Sequence, residues 1–210
     1  MTMQNFEKTL PENYTQKLYI NAKNAKFGLI FNTISIAVFL IFGFIAFRAV
    51  FKNESKTDML SDFISSNPFA LLLTYLTFFF AMVLYIILHE LVHGACYKIM
   101  TKEKLTFGIS WSCAFCGVPN IYVYRKTALI ASAAPLVIFS LIFLPLSILL
   151  YSVNPAFFIA EVLLFGLHLG GCSGDIYVIL LLLFKYKNKK TLVRDTGPEQ
   201  FFYVPNENCD

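Results

Sequence analysis

The chain has 210 residues, of which 57% are hydrophobic and 14% are charged, and its formal net charge is +4. Soluble domains are about 45–50% apolar and about 25% charged, so this composition excludes an ordinary soluble protein. The apolar residues are concentrated in blocks of roughly 20 or more, a length that crosses a hydrocarbon core of about 30 Å. The sequence therefore predicts one integral membrane domain. The positive charge requires no nucleic-acid partner, because the basic residues flank the apolar blocks.

The N-terminal segment, residues 1–26, is polar and precedes the first apolar block. That block is too long for the core of a signal peptide and carries no A-x-A cleavage site. We therefore expect it to remain as a membrane anchor rather than to be removed as a secretory signal.

Four apolar blocks predict an all-α fold with about four transmembrane helices. They lie at about 27–47, from after Pro68 to about 99, 127–150 and 156–184. The membrane domain thus covers residues 27–184, and the tail covers 185–210. The tail contains Gly197, Pro198 and Pro205, and from Lys187 onward we expect a flexible extension.

The distribution of basic residues orients these helices. Fourteen of the 17 Lys and Arg lie in the N-terminal segment, in and beside the loop between the second and third helices, and in the tail. The other three lie after the first helix. Because cytoplasmic loops carry an excess of Lys and Arg, we expect a multi-pass cell-membrane protein with both termini in the cytosol.

The loop between the second and third helices differs from the apolar blocks around it. In residues 105–124, β-branched and aromatic residues flank the turn signal Gly-Val-Pro-Asn at 117–120, which predicts a small cytosolic β-hairpin. Because it directly follows the second helix, we expect it beside any site at the end of that helix. It could hold an extended peptide by strand addition, or it could simply cover the site.

The end of the second apolar block contains His89-Glu90-Leu91-Val92-His93, the H-E-x-x-H pattern of zinc hydrolases. Two histidines four residues apart lie on one face of a helix, one turn apart, so both can bind one Zn²⁺. Glu90 is then free to accept a proton from zinc-bound water. Because ionisable groups within a membrane are costly, their presence here indicates function.

A catalytic zinc site usually has three protein ligands, and Asp175 is our candidate for the third. If Lys98 and Lys185 mark the cytosolic ends of their helices, His93, His89 and Asp175 lie five, nine and ten residues from those ends. At about 1.5 Å per residue, the three depths are roughly 7, 13 and 15 Å. The three side chains could therefore meet at one level of the membrane.

Other polar residues of the fourth block have simpler interpretations. His168 lies seven residues before Asp175 and is the rival third ligand, or a residue that orients water or a substrate carbonyl. Glu161 lies a further seven residues back, and we expect it to form a hydrogen bond between helices or to line a water path. The pair Cys113 and Cys116 is a C-x-x-C pattern without a second pair, so we expect it to pack rather than to bind metal.

These motifs resemble those of a known family. His89-Glu90-Leu91-Val92-His93 in one membrane helix, followed by Ser173-Gly174-Asp175-Ile176 in a later one, is similar to the bacterial Putative zincin peptidase family. Its layout is similar to that of site-2-protease-type intramembrane metalloproteases. The resemblance covers about 71–183 and implies that His89, His93 and Asp175 bind zinc and that Glu90 is the catalytic base. The Ser-Gly-Asp-Ile segment departs from the Asn-Pro and Asp-Gly pattern common in site-2 proteases.

The sequence thus predicts a zinc-dependent membrane peptidase that acts on a membrane protein or peptide in or near the lipid bilayer. Two alternatives remain at this point. A metal-binding membrane protein without enzymatic activity, such as an ion carrier or sensor, would use the same ligands without Glu90. A scaffold without metal would leave the ionisable groups in the apolar blocks unexplained.

Overall fold

The structure, a computed structural model, describes residues 5–66, 68–110 and 113–206 and is mostly helical in these ranges. The helices are α1 (Ala25–Phe51), α2 (Glu54–Ser66), α3 (Pro68–Thr101), α4 (Arg125–Val153), α5 (Pro155–Gly171) and α6 (Ser173–Leu180), which continues into a π-helical turn at Leu181–Lys185. Four stretches are long and apolar enough to cross a membrane, namely α1, α3, α4 and the run from α5 to Lys185. They correspond to the four predicted helices. The fold is therefore compatible with a multi-pass membrane protein.

The prediction of an all-α fold with one small hairpin holds for the helices but underestimates the strands, because the described ranges contain seven of them. They are β1 (Phe6–Glu7), β2 (Tyr14–Asn21), β3 (Thr106–Ile109), β4 (Ala114–Gly117), β5 (Tyr122–Tyr124), β6 (Leu192–Asp195) and β7 (Glu199–Pro205). Five of them form an antiparallel sheet in the order β1-β5-β6-β7-β2. The tail is therefore ordered as strands through Pro205, and the prediction of a flexible extension is wrong for this part.

The predicted hairpin exists, but its turn lies elsewhere. Strands β3 and β4 pair antiparallel, with Phe107 opposite Cys116, and they are joined through residues 110–113, of which 111 and 112 lie outside the described ranges. The Gly-Val-Pro-Asn segment instead leads from β4 to β5, which belongs to the five-stranded sheet. There the backbone N–H of Val118 donates to the carbonyl of Asp195 at 2.8 Å.

The chain forms two compact units. The first, which we call the sheet unit, comprises residues up to 30, 87–135 and from 174 onward. Its core contains apolar side chains from the five-stranded sheet, from the segment that leads into it and from the ends of the helices, among them Tyr97, Val118, Ala131, Val178 and Phe202. The second, which we call the helical unit, comprises residues 31–86 and 136–173. Its core includes Val50, Leu60, Ala156, Phe158 and Val162.

The five-stranded sheet joins three polar segments that are far apart in the sequence. Strands from the N-terminal segment, from the loop after α3 and from the tail pair with one another, as in Phe6 opposite Val123 and Val123 opposite Val193. If the four long helices cross a bilayer, these three segments must lie on the same side of it. The assignment of that side to the cytosol, and the division of the chain at residues 26 and 184, stay predictions.

Candidate metal centre

Helix α3 brings the H-E-x-x-H residues to one face of the sheet unit. Pro68 at its first position is compatible with a helix start, and the spacing of four residues places His89 and His93 one turn apart. Both side chains are buried, with relative exposures of 8% and 9%. Their Nε2 atoms lie 3.2 Å apart.

Asp175 completes a triangle with the two histidines. It lies in the first turn of α6, which begins at Ser173. Its Oδ2 atom lies 3.3 Å from Nε2 of His89 and 3.4 Å from Nε2 of His93. The three residues that the sequence singled out as ligands thus present one donor atom each within 4.8 Å of one another.

The dimensions of this triangle fit a tetrahedral zinc site. Ligand atoms about 2.0–2.1 Å from a tetrahedral ion are separated from each other by about 3.3–3.4 Å. The three observed separations are 3.2, 3.3 and 3.4 Å. Two imidazole nitrogens and one carboxylate oxygen are also a donor set typical of catalytic zinc, which keeps a further position for water.

The carbonyl of Ala131 orients one of the histidines. Nδ1 of His93 lies 2.8 Å from the carbonyl oxygen of Ala131 on α4. Because a carbonyl only accepts, Nδ1 carries a hydrogen, and in the neutral ring Nε2 then keeps the lone pair that a metal ion requires. This partner was missed by sequence reasoning, since a backbone carbonyl leaves no signal in the residue type.

Glu90 lies beside the triangle but is not part of it. It is partly exposed, and among the residues that the structure describes it has no hydrogen-bond or ion-pair partner. A carboxylate in this position is available to accept a proton. That availability separates it from Asp175, whose oxygen is engaged by both histidines.

The hairpin packs directly on the helix that carries the histidines. A Cβ atom at Gly94, next to His93, would lie 2.6 Å from Cζ of Phe107 and 3.2 Å from Sγ of Cys116. Any larger residue at this position would require the Phe107 ring to move. Burial, followed by the charges of Asp195 and Glu90, raises the pKa of Cys116 to about 12. This pKa is consistent with the packing role that the sequence analysis expects for Cys116, which stays a prediction.

Cys113 has a polar neighbour in the same hairpin. Its Sγ lies 3.3 Å from Oγ of Ser110. It and the other described cysteines, Cys96, Cys116 and Cys172, form no disulfide. Cys209 lies outside the described residues.

His168 and Glu161 lie in the helical unit and have polar partners there. His168 is fully buried, with Nδ1 2.8 Å from the hydroxyl of Tyr85 and Nε2 3.1 Å from the hydroxyl of Ser140. Glu161 accepts a hydrogen bond from Ser147 of α4 at 2.5 Å, so its expected interhelical hydrogen bond is confirmed. Both ring nitrogens of His168 thus have hydroxyl partners within the helical unit, which favours Asp175 as the third ligand.

Comparison with known proteins agrees with the chemistry of this centre. No curated protein and no solved structure matches the chain. The profile of a family described as Putative zincin peptidase matches residues 82–190, which is 109 of the 210 residues and includes both histidines, Glu90 and Asp175. The chain therefore belongs to the Putative zincin peptidase family.

Proposed function

We propose that this protein is a zinc-dependent, membrane-embedded peptidase that hydrolyses peptide bonds in or near the bilayer. The observation that carries the proposal is the triangle of His89, His93 and Asp175, whose three sides fit tetrahedral zinc. The family match supports a metallopeptidase, and the four long apolar helices support the membrane setting.

In this proposal the two histidines and Asp175 hold the ion. Bound there, zinc polarises a carbonyl and lowers the pKa of a bound water. The Ala131 carbonyl holds the His93 ring in the tautomer that leaves Nε2 as the donor atom. Asp175 supplies the one anionic ligand and faces both histidines from a different helix, α6.

Glu90 is the general base of the proposed reaction. It directly follows His89 in α3, and among the residues that the structure describes it has no hydrogen-bond partner. It therefore takes the proton of the attacking water and delivers it to the nitrogen of the departing amine. The same residue is not required to hold the ion, because three ligands are already present.

The proposed substrate is a membrane protein or peptide. A peptide bond within a helix has its carbonyl engaged in the backbone ladder, so the substrate must be locally unwound before hydrolysis. We place both termini in the cytosol on the distribution of the basic residues. The shared sheet requires the two terminal segments to lie on the same side of the bilayer, whichever side that is. Labelling of intact cells with a membrane-impermeant thiol reagent tests this placement, since modification of Cys209 from outside would contradict it.

Substitution of Glu90 tests the peptidase proposal against a metal carrier or sensor. Glu90→Gln keeps the size of the side chain and removes the base, so we expect zinc content to remain and peptide hydrolysis to fall about 10²- to 10⁴-fold. Membrane proteins that accumulate in cells carrying Glu90→Gln identify substrates, which are then incubated with the purified enzyme. If the variant cleaves such a substrate at the wild-type rate, the peptidase mechanism is wrong.

A further inference from the structure

Asp195 is a buried carboxylate that the proposed function leaves unexplained. It ends β6, lies beyond the family-matched residues 82–190, and is only 4% exposed. Burial of a carboxylate is costly unless hydrogen bonds compensate it. The partners of Asp195 should therefore indicate what the residue does.

Three donors converge on the Asp195 carboxylate. The backbone N–H of Gly197 donates to Oδ1 at 2.9 Å, and the side-chain amide of Gln200 donates to Oδ2 at 3.3 Å. These two bonds lie within the β6–β7 connection, where Gly197 has a φ of 101°, and the formation of a tight turn accounts for them. The third donor, the hydroxyl of Tyr97, donates to Oδ2 at 2.7 Å and belongs to α3.

Tyr97 connects this turn to the candidate metal centre. It lies four residues after His93, one turn further along the same face of α3, and is 3% exposed. The same part of α3 is packed against the hairpin at Gly94. The tail thus holds α3 through a buried hydrogen bond one turn beyond a candidate ligand.

Such a connection matters because ligand side chains must be held within about 0.5 Å of a productive geometry. His93 must face both Asp175 and the Ala131 carbonyl, which belong to α6 and α4. A rotation or shift of α3 by a fraction of a turn would break both contacts. The Tyr97 bond opposes that movement.

We propose that Asp195 is a positioning residue of the metal centre, which through its hydrogen bond from Tyr97 fixes the end of α3 and thereby the positions of His93 and Glu90. This proposal rests on the proposed function, in that it takes His89, His93 and Asp175 as the ligands. It makes the tail strands part of the catalytic unit, although they lie outside the family match.

The test uses Co²⁺ in the purified full-length protein, because the visible absorption of Co²⁺ reports ligand geometry without any substrate. Tyr97→Phe removes the hydroxyl that donates to Asp195. It therefore breaks the bond between α3 and the tail and leaves the Gly197 turn intact. Asp195→Asn is the second variant, because it keeps an acceptor for Gly197 and presents an amide N–H to Tyr97. The matched control is Tyr124→Phe. It also removes a hydrogen bond from a tyrosine to a carboxylate, at 2.6 Å between Tyr124 and Glu7, but both residues lie in the five-stranded sheet and neither belongs to α3.

We expect Tyr97→Phe and Asp195→Asn each to weaken Co²⁺ binding about tenfold, at the lower end of the effect of outer-shell partners, and to change the absorption bands. Tyr124→Phe should change neither. A purely structural role would lower the melting temperature of the variants with the bands unchanged, and that result would overturn the proposal. If the wild type binds no Co²⁺, the proposed function itself falls and the positioning role with it.

Discussion

The sheet unit and the helical unit both bury histidine and carboxylate among apolar helices, but they satisfy these groups differently. In the helical unit, His168 is held by the hydroxyls of Tyr85 and Ser140. In the sheet unit, Nε2 of His89, Nε2 of His93 and Oδ2 of Asp175 face one another at 3.2 to 3.4 Å. Three such groups at these distances need a shared proton or a cation among them. The difference teaches that an ionisable residue in an apolar helix indicates a metal site when several potential ligand atoms converge on one point, and not when hydroxyl groups surround it.

The polar groups of the helical unit instead join two helices. Ser140 contacts His168, and Ser147 donates to Glu161. Ser140 and Ser147 are seven residues, or about two turns, apart on α4, and Glu161 and His168 are equally far apart on α5. This spacing is expected for antiparallel helices that pack along one face. This polar stripe stabilises the packing of α4 on α5, since polar side chains that hydrogen-bond across helices hold membrane bundles together.

The largest expected effect concerns Asp175. Asp175→Ala removes the only anionic member of the triangle, so zinc affinity should fall by at least about a hundredfold, more than the loss of an outer-shell partner. Competition with a chelator of known affinity measures this in the purified variant. Unchanged affinity, combined with loss of zinc in His168→Ala, would show that the wrong unit supplies the third ligand.

His168→Ala should affect stability and spare the metal. It leaves a cavity and two hydroxyl groups without their partner, at an expected cost of about 3–5 kcal/mol of unfolding free energy. Ser140→Ala removes one of the two bonds and should cost about 1 kcal/mol. Thermal unfolding measures both, and zinc content should remain at the wild-type level. Loss of zinc from a folded His168→Ala protein would contradict the claim that His168 has a structural role and does not bind the metal.

A smaller effect is expected for the pH dependence of stability. Burial raises the pKa of Asp195 from 3.8 to about 6, against the opposing hydrogen bonds. Because the folded state then holds the proton more tightly than the unfolded state, this residue stabilises the fold fully below pH 3.8, and that contribution is lost as the pH rises to about 6. Asp195→Asn removes this dependence.

As the pH rises from 4 to about 7, the melting temperature of Asp195→Asn should therefore rise relative to that of the wild type. The change corresponds to no more than about 3 kcal/mol. Glu7→Gln removes an equal charge from the same sheet and controls for net charge. A difference between variant and wild type that is constant over this range would contradict the assigned pKa.

The helices and the metal residues could be predicted from the sequence because both leave local signals. Four apolar blocks of sufficient length predict the helices, and H-E-x-x-H is a contiguous pattern on one helix face. Asp175 stood out because an acid before an apolar run is costly without a partner. Asp175 lies more than 80 residues after His93, and only the comparison of their estimated depths in the membrane predicted that they meet.

The sheet could not be predicted in the same way. Strands β2 and β7 pair Tyr14 with Pro205 and Asn21 with Glu199, so their stabilising contacts lie nearly a whole chain length apart. Asp195 gave no signal either, because a single acid in a polar tail is ordinary until the fold places Tyr97 against it. Helix α2, short and of mixed polarity, carries no apolar block and was missed for that reason.

X-ray absorption at the zinc edge of the purified wild-type protein tests the central claim most directly. The account predicts one zinc per chain with nitrogen and oxygen ligands at about 2.0–2.1 Å and no sulfur ligand. Absence of bound zinc, or a sulfur ligand at about 2.3 Å, would contradict the assignment of His89, His93 and Asp175 as the metal site.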